Sequence, residues 1–206
     1  MVKRIGLFGG SFDPIHHGHL IVARAVAERH RLDRVLFLPS ASPPHKASAG
    51  LTSADHRAEM VRIAIAGEPL FEFSDADLQG AAPSYTIDTV TRFRECFGSG
   101  TTLCWLIGGD WLGQLPTWRR ATELIDACEI ITAVRPGWDG ADWNALAEIV
   151  GAVRAEKLRS GITETPRIEV SSTDIRERVR QGRSIRFLTP ERVCGYIAAN
   201  GLYRTG

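Results

Sequence analysis

The chain has 206 residues, 44% of them hydrophobic and 24% charged, which is enough apolar material for one sizeable core. Its 25 Lys and Arg against 24 Asp and Glu leave a formal charge of +1, which excludes the broad basic field that duplex nucleic-acid binders present. No apolar run reaches the roughly 20 residues of a membrane-spanning helix, and Arg24 interrupts the run from Leu20 to Ala27. Neither nucleic acid nor a membrane is an expected partner.

Short β-branched and apolar runs alternate with amphipathic stretches, the pattern of βαβ units and a mostly parallel sheet. The chain starts with Met1-Val2-Lys3-Arg4 and a short apolar run, too brief for a secretory h-region, so it reads as the first strand. Strands are predicted at 4–8, 34–39, 70–74, 102–107, 129–134 and 167–170. Helices are predicted at 18–30, 54–66, 86–97, 111–115, 121–127 and 143–158. Two more close the chain at 172–181 and 190–199, the last with Thr189 as N-cap, Pro190 at N1 and a stop at Asn200-Gly201. The expected architecture is α/β, a Rossmann-like parallel sheet flanked by helices. It forms a single domain over 1–206 with a small C-terminal helical portion from about 171. The 40–53 loop, with Ser42-Pro43-Pro44-His45-Lys46, is long enough to suggest a functional segment that closes over ligand. Cys96, Cys104, Cys128 and Cys194 form no C-x-x-C pair, so reduced thiols in the cytoplasm are expected.

Chemistry concentrates between the first strand and the first helix, in Gly9-Gly10-Ser11-Phe12-Asp13-Pro14-Ile15-His16-His17-Gly18-His19. Ligands of parallel sheets bind at the carboxyl ends of strands, where a helix N-terminus offers free N–H groups to phosphate. The run is neither G-x-G-x-x-G nor a Walker A loop, which disfavours a dinucleotide dehydrogenase and a P-loop NTPase. His16 and His19 share a face at the helix mouth, and both can donate to one polyphosphate. The plain alternatives are a helix cap and a metal pair, the latter lacking further ligands nearby. Downstream, Val170-Ser171-Ser172-Thr173-Asp174-Ile175-Arg176 reads as a strand running into a capped helix whose Arg176 can grip phosphate, or simply as a cap with a solvated arginine. Asp110, after the strand end at Gly108-Gly109, is either a site residue or the N-cap of the next helix.

The first run resembles the G-G-x-F-D-P-x-H-x-G-H signature of the H-x-G-H nucleotidyltransferases, and the second is similar to their I-S-S-T-x-I-R signature, with Val170 replacing its Ile. Pro43-Pro44-His45-Lys46, Ser84-Tyr85-Thr86-Ile87-Asp88-Thr89 and Gly108-Gly109-Asp110 with Leu115-Pro116-Thr117-Trp118 further resemble the bacterial nicotinate-mononucleotide adenylyltransferases over nearly the whole chain. That resemblance implies transfer of AMP from ATP to nicotinate mononucleotide in NAD biosynthesis, giving deamido-NAD and pyrophosphate. It assigns His16, His19, Lys46 and Arg176 to catalysis by charge stabilisation. ATP would lie against Gly9, Gly10, Ser11, Phe12, His16, Gly18, His19, Gly108, Asp110, Ser172, Thr173 and Arg176. The mononucleotide would meet Ser11, Phe12, His45, Lys46, Tyr85, Thr86, Asp110 and Trp118, with Trp118 stacking on the pyridine ring. Arg119 departs from the pattern, since an aromatic is common there in relatives. Mg²⁺ is expected to ride on the ATP phosphates. The competing readings are an adenylyltransferase for another acceptor, such as nicotinamide mononucleotide or phosphopantetheine, and a nucleotide-binding regulator without turnover; an RNA-binding role lacks the basic face it needs.

Overall fold

The computed structural model describes residues 3–41, 51–79 and 85–204. The elements in chain order are β1 (Lys3–Gly10), α1 (His17–His30), β2 (Arg34–Pro39), α2 (Ala54–Ile65), β3 (Phe71–Phe73), α3 (Thr86–Phe97) and β4 (Thr101–Gly108). They continue with α4 (Gly109–Leu112), α5 (Ala121–Ala127), β5 (Glu129–Val134), α6 (Trp143–Val150), α7 (Ala152–Ser160), β6 (Ile162–Glu164), α8 (Ser172–Arg180) and α9 (Glu191–Ala199). The strands form one parallel sheet in the order β3-β2-β1-β4-β5-β6. The direction of winding reverses between β1 and β4, and a crevice opens above that point, at the carboxyl ends of both strands.

Strand alternation divides the core into two layers. Ile5 and Leu7 of β1, Leu36 and Leu38 of β2, and Leu103, Trp105 and Ile107 of β4 face α3, α5, α6 and α7. Val35 and Phe37 of β2 and Cys104 and Leu106 of β4 face the other way, onto Val26 of α1, Val61 of α2, Ile175 of α8 and Val193 and Ile197 of α9. The C-terminal helices therefore extend the second layer, beside α1 and α2. Among the described residues no helix is long and apolar enough to cross a membrane.

Four expectations need correction. The sixth strand is Ile162–Glu164, not 167–170. Thr165 still donates its N–H to the Val134 carbonyl, at 2.9 Å, but Pro166 has no N–H with which to extend the ladder, and the chain leaves the sheet there. The helix read as 143–158 breaks into two at Gly151, whose φ of 90° lies outside the helical region and is easily adopted without a Cβ. The helix at 111–115 is displaced: α4 spans Gly109–Leu112 and a 3₁₀ turn spans Leu115–Thr117. Finally, the N-cap of α9 is Pro190, because the Thr189 hydroxyl donates to the Ile15 carbonyl, at 2.7 Å, rather than serving its own helix.

Candidate active site

β1 runs through Gly9 and Gly10, so these glycines belong to the strand and not to the turn that follows. Their bareness serves packing: a Cβ on Gly9 would meet Trp105 Cζ2 at 2.8 Å, and one on Gly10 would meet the Phe12 ring at 3.0 Å. The turn begins at Phe12, whose φ of 48° is left-handed and whose ring is buried against Phe8, Phe37 and His19. Such a loop needs external donors, because its own carbonyls are buried away from water. Arg57 of α2 donates to the Ser11 carbonyl at 2.8 Å, Arg176 to that of Asp13 at 2.7 Å, Ser172 to that of Pro14 at 2.9 Å, and Thr189 to that of Ile15. The buried Asp13 carboxylate accepts from the Tyr203 hydroxyl at 2.8 Å and from the Thr52 N–H at 3.4 Å. Residues distant in sequence thus hold the loop rigid from outside.

The loop delivers two imidazoles. His16 is the N-cap of α1 and His19 lies in its first turn, and their rings stack with centroids 3.7 Å apart. The His16 N–H donates to His19 Nδ1 at 3.2 Å, so in the neutral ring the proton resides on Nε2, which becomes a donor. A Cβ on Gly18 would meet the His16 ring at 3.0 Å, which accounts for the glycine between them. His16 is only 6% exposed, and burial, helped by the adjacent His17, lowers its pKa to about 4. At neutral pH His16 is therefore an uncharged polar group. The unfolded chain, with His near 6.5, takes up a proton first as pH falls. Stability is complete above about pH 6.5 and declines toward pH 4, at up to about 1.4 kcal/mol per pH unit. His16→Asn is expected to flatten that decline in urea unfolding between pH 7.5 and 5; parallel losses in both proteins would refute it.

Two cavities flank this helix mouth. One, of about 370 Å³, lies between the ends of β1 and β4 and is lined by Gly9, Gly10, Ser11, Phe12, Tyr85, Thr86, Trp118 and Arg119. The other, of about 480 Å³, is lined by His16, Gly18, Arg135, Trp138, Arg167 and Ile168. His19, Gly108 and Asp110 border both. Tyr85 is the N-cap of α3 and Thr86 its first residue, so the α3 N-terminus faces the first cavity. Asp110 sits in the first turn of α4, whose N-cap is Gly108, so it is not the cap.

The structure thus brings most of the sequence-derived residues together. Ser172 and Arg176 instead brace the β1–α1 loop, and Thr173 accepts from Arg176 at 3.3 Å; none of the three lines either cavity. His45 and Lys46 lie outside the described residues, as does most of the 40–53 loop. The sequence reading overlooked Arg57, Asp77, Arg135, Trp138 and Arg167. Arg57 carried a signal: it occupies the stripe of α2 shared by the buried Ala58, Val61 and Ile65. Asp77 is also buried, accepts from the Thr89 hydroxyl, and has its pKa raised chiefly by desolvation.

A cytidylyltransferase-like family profile matches residues 7–178. A protein of Thermomicrobium roseum named "Probable nicotinate-nucleotide adenylyltransferase" is 42% identical over 204 residues, covering 99% of this chain and 93% of its own. The chain belongs to the nicotinate-nucleotide adenylyltransferases of the cytidylyltransferase-like family. A relative of the same name from Thermoanaerobacter sp. is 40% identical, covering 98% of this chain and 94% of its own. Among solved structures, Plasmodium falciparum nicotinic acid mononucleotide adenylyltransferase complexed with NaAD superposes with a TM-score of 0.75, covering 98% of this chain and 97% of that one. At 18% identity it is a likeness of fold. Adenylyltransferases of this family are thus matched here in sequence along nearly the whole chain, and in overall fold.

Proposed function

We propose that this chain transfers AMP from ATP to nicotinate mononucleotide, yielding deamido-NAD and pyrophosphate in NAD biosynthesis. The observation that carries this reading is the pair of cavities meeting at one wall, where His19 and Asp110 border both. A ligand in each would bring its phosphate to the His19 ring. The aromatic cavity, with Tyr85 and Trp118, suits the pyridine ring, and the second, with Arg135 and Arg167, suits the adenosine end of ATP.

Such a transfer asks for alignment and charge stabilisation more than covalent chemistry. A phosphate oxygen of the mononucleotide attacks the α-phosphorus of ATP, the P–O bond to the bridging oxygen breaks, and the electron pair leaves with pyrophosphate. The attacking oxygen is anionic at neutral pH, so no general base is required. The Nε2–H of His19 donates to the phosphate oxygens on which charge builds, and neutral His16, stacked against it, holds the ring in place. Mg²⁺ belongs to the substrate, riding on the ATP phosphates with most of its waters. Among the described residues no group of three His, Cys, Asp or Glu side chains is placed to hold a metal ion. A cytoplasmic setting is part of the proposal, supported by four free cysteines, of which the buried Cys104 and Cys128 have thiol pKa values pushed up to about 12.

The test is pyrophosphate release from ATP and Mg²⁺ with nicotinate mononucleotide as acceptor. Release that depends on the acceptor is expected. Nucleotide binding without release, with this or any other mononucleotide, would favour a non-catalytic binder and overturn the reading.

A further inference from the structure

The aromatic cavity contains a cation with no assigned task. Arg119 follows Trp118, lines the same cavity as Tyr85, Thr86 and Trp118, and holds its Cζ 4.6 Å from the centroid of the Tyr85 ring. Its neighbour Arg120 shows the usual fate of a surface arginine. A left-handed φ of 52° turns Arg120 away, to Glu123 at 2.6 Å and Asp88 at 3.6 Å. Arg119 is exposed as well, at the rim of the cavity, but among the described residues no acidic side chain lies within ion-pairing distance of it, and residues 42–50 and 80–84 contain no Asp or Glu.

The carboxylates in the cavity wall are otherwise placed. Asp77 is buried, accepts from the Thr89 hydroxyl and lies 3.6 Å from Arg92. Asp110 sits on the wall shared with the second cavity. Arg119 is thus the guanidinium that the described residues supply to the aromatic cavity. A guanidinium over an aromatic face keeps its N–H donors for another partner, and their fork matches a carboxylate with two parallel hydrogen bonds.

We infer that Arg119 reads the carboxylate on the pyridine ring of the acceptor, making this side chain a determinant of acid-over-amide specificity. The inference rests on the reading of this cavity as the nicotinate mononucleotide site. The N-terminus of α3 at Thr86 adds donors on the same side, and Arg119 supplies the full charge. A carboxamide would offer the fork one acceptor and turn an N–H₂ group toward a cation, which penalises the amide as well as rewarding the acid.

The experiment compares kcat/KM for nicotinate mononucleotide and nicotinamide mononucleotide in the wild type, Arg119→Gln and Arg119→Lys. The wild type is expected to prefer the acid. In Arg119→Gln the acid-to-amide ratio should fall about tenfold or more, through KM for the acid, with KM for ATP held. Arg119→Lys, which keeps the charge and loses the fork, should fall between. An unchanged ratio, whether both constants drop together or neither moves, overturns the inference; a parallel drop would mean that Arg119 serves the phosphate both acceptors share. Quenching of tryptophan fluorescence by each mononucleotide, without ATP, reads the same discrimination without turnover. A wild type that binds the acid selectively but releases no pyrophosphate would sink the catalytic reading and leave Arg119 standing.

Discussion

His19→Ala is expected to lower kcat for pyrophosphate release by about 10²–10³, or about 3–4 kcal/mol of transition-state stabilisation, with the fold intact. The ring is placed for this by structure that survives its removal. Main-chain groups of the β1–α1 loop are tied by Arg57, Arg176, Ser172 and Thr189, and these bonds do not use the His19 side chain. Among what alanine removes are the acceptor for the His16 N–H, ring contacts with His16, Phe8 and Phe12, and a donor on the wall common to both cavities. The lost hydrogen bond and ring contacts act on loop order. The last acts where charge builds as the α-phosphorus passes between oxygens, so the loss should fall on kcat with KM for both substrates changed far less. Circular dichroism and the urea midpoint check the fold. A kcat within tenfold of wild type, or a loss confined to KM, would remove His19 from the transition state.

Much of the fold could be read in advance because local pattern and tertiary demand agree. Residues 34–39 and 129–134 are apolar runs that the sheet buries on both faces, and their bounds coincide with β2 and β5. Residues 86–97 and 121–127 are likewise bounded as α3 and α5. The last strand was misplaced because two runs compete. Ile162-Thr163-Glu164 and Ile168-Glu169-Val170 have similar alternation, and only pairing with Thr132, Ala133 and Val134 decides between them. The histidine loop was legible as a motif, yet the reason for its glycines was not. Whether Gly9 permits a turn or admits Trp105 depends on a strand 96 residues away in sequence (105 − 9), which no local window contains. The same limit applies to Arg119 and Arg120, adjacent and chemically identical. A backbone dihedral at Arg120 sends one to Glu123 and Asp88 and leaves the other, also exposed, lining the aromatic cavity. The sequence shows donors at a helix start in Ser172 and Arg176, while the carbonyls of Pro14 and Asp13 that accept from them lie 158 and 163 residues away and are visible only in the fold.

Arg57→Ala is expected to destabilise the protein by about 3–5 kcal/mol, a large part of the roughly 5–15 kcal/mol available to a domain. Arg57 is 1% exposed, and its guanidinium donates to three carbonyls: Ser11 at 2.8 Å, Thr52 at 2.9 Å and Ala41 at 3.2 Å. Ser11 belongs to the β1–α1 loop, while Ala41 and Thr52 stand on either side of residues 42–50, so one side chain joins the nucleotide loop to both. Burial lowers the Arg57 pKa, and the nearby Asp13 carboxylate opposes that shift in part. Alanine leaves a cavity and three partly buried acceptors unserved, each costing up to about 1–3 kcal/mol where water cannot replace the donor. Arg57→Lys keeps the charge but cannot span three acceptors from one ammonium, so it should recover part of the loss. Tyr203→Phe, removing one hydrogen bond to Asp13, sets the scale at about 1 kcal/mol. Urea unfolding of the three variants orders them: alanine lowest, lysine next, phenylalanine nearest wild type. A lysine variant as stable as wild type would show that charge alone suffices and the carbonyl clamp does not, and an alanine variant within 1 kcal/mol would dispose of both.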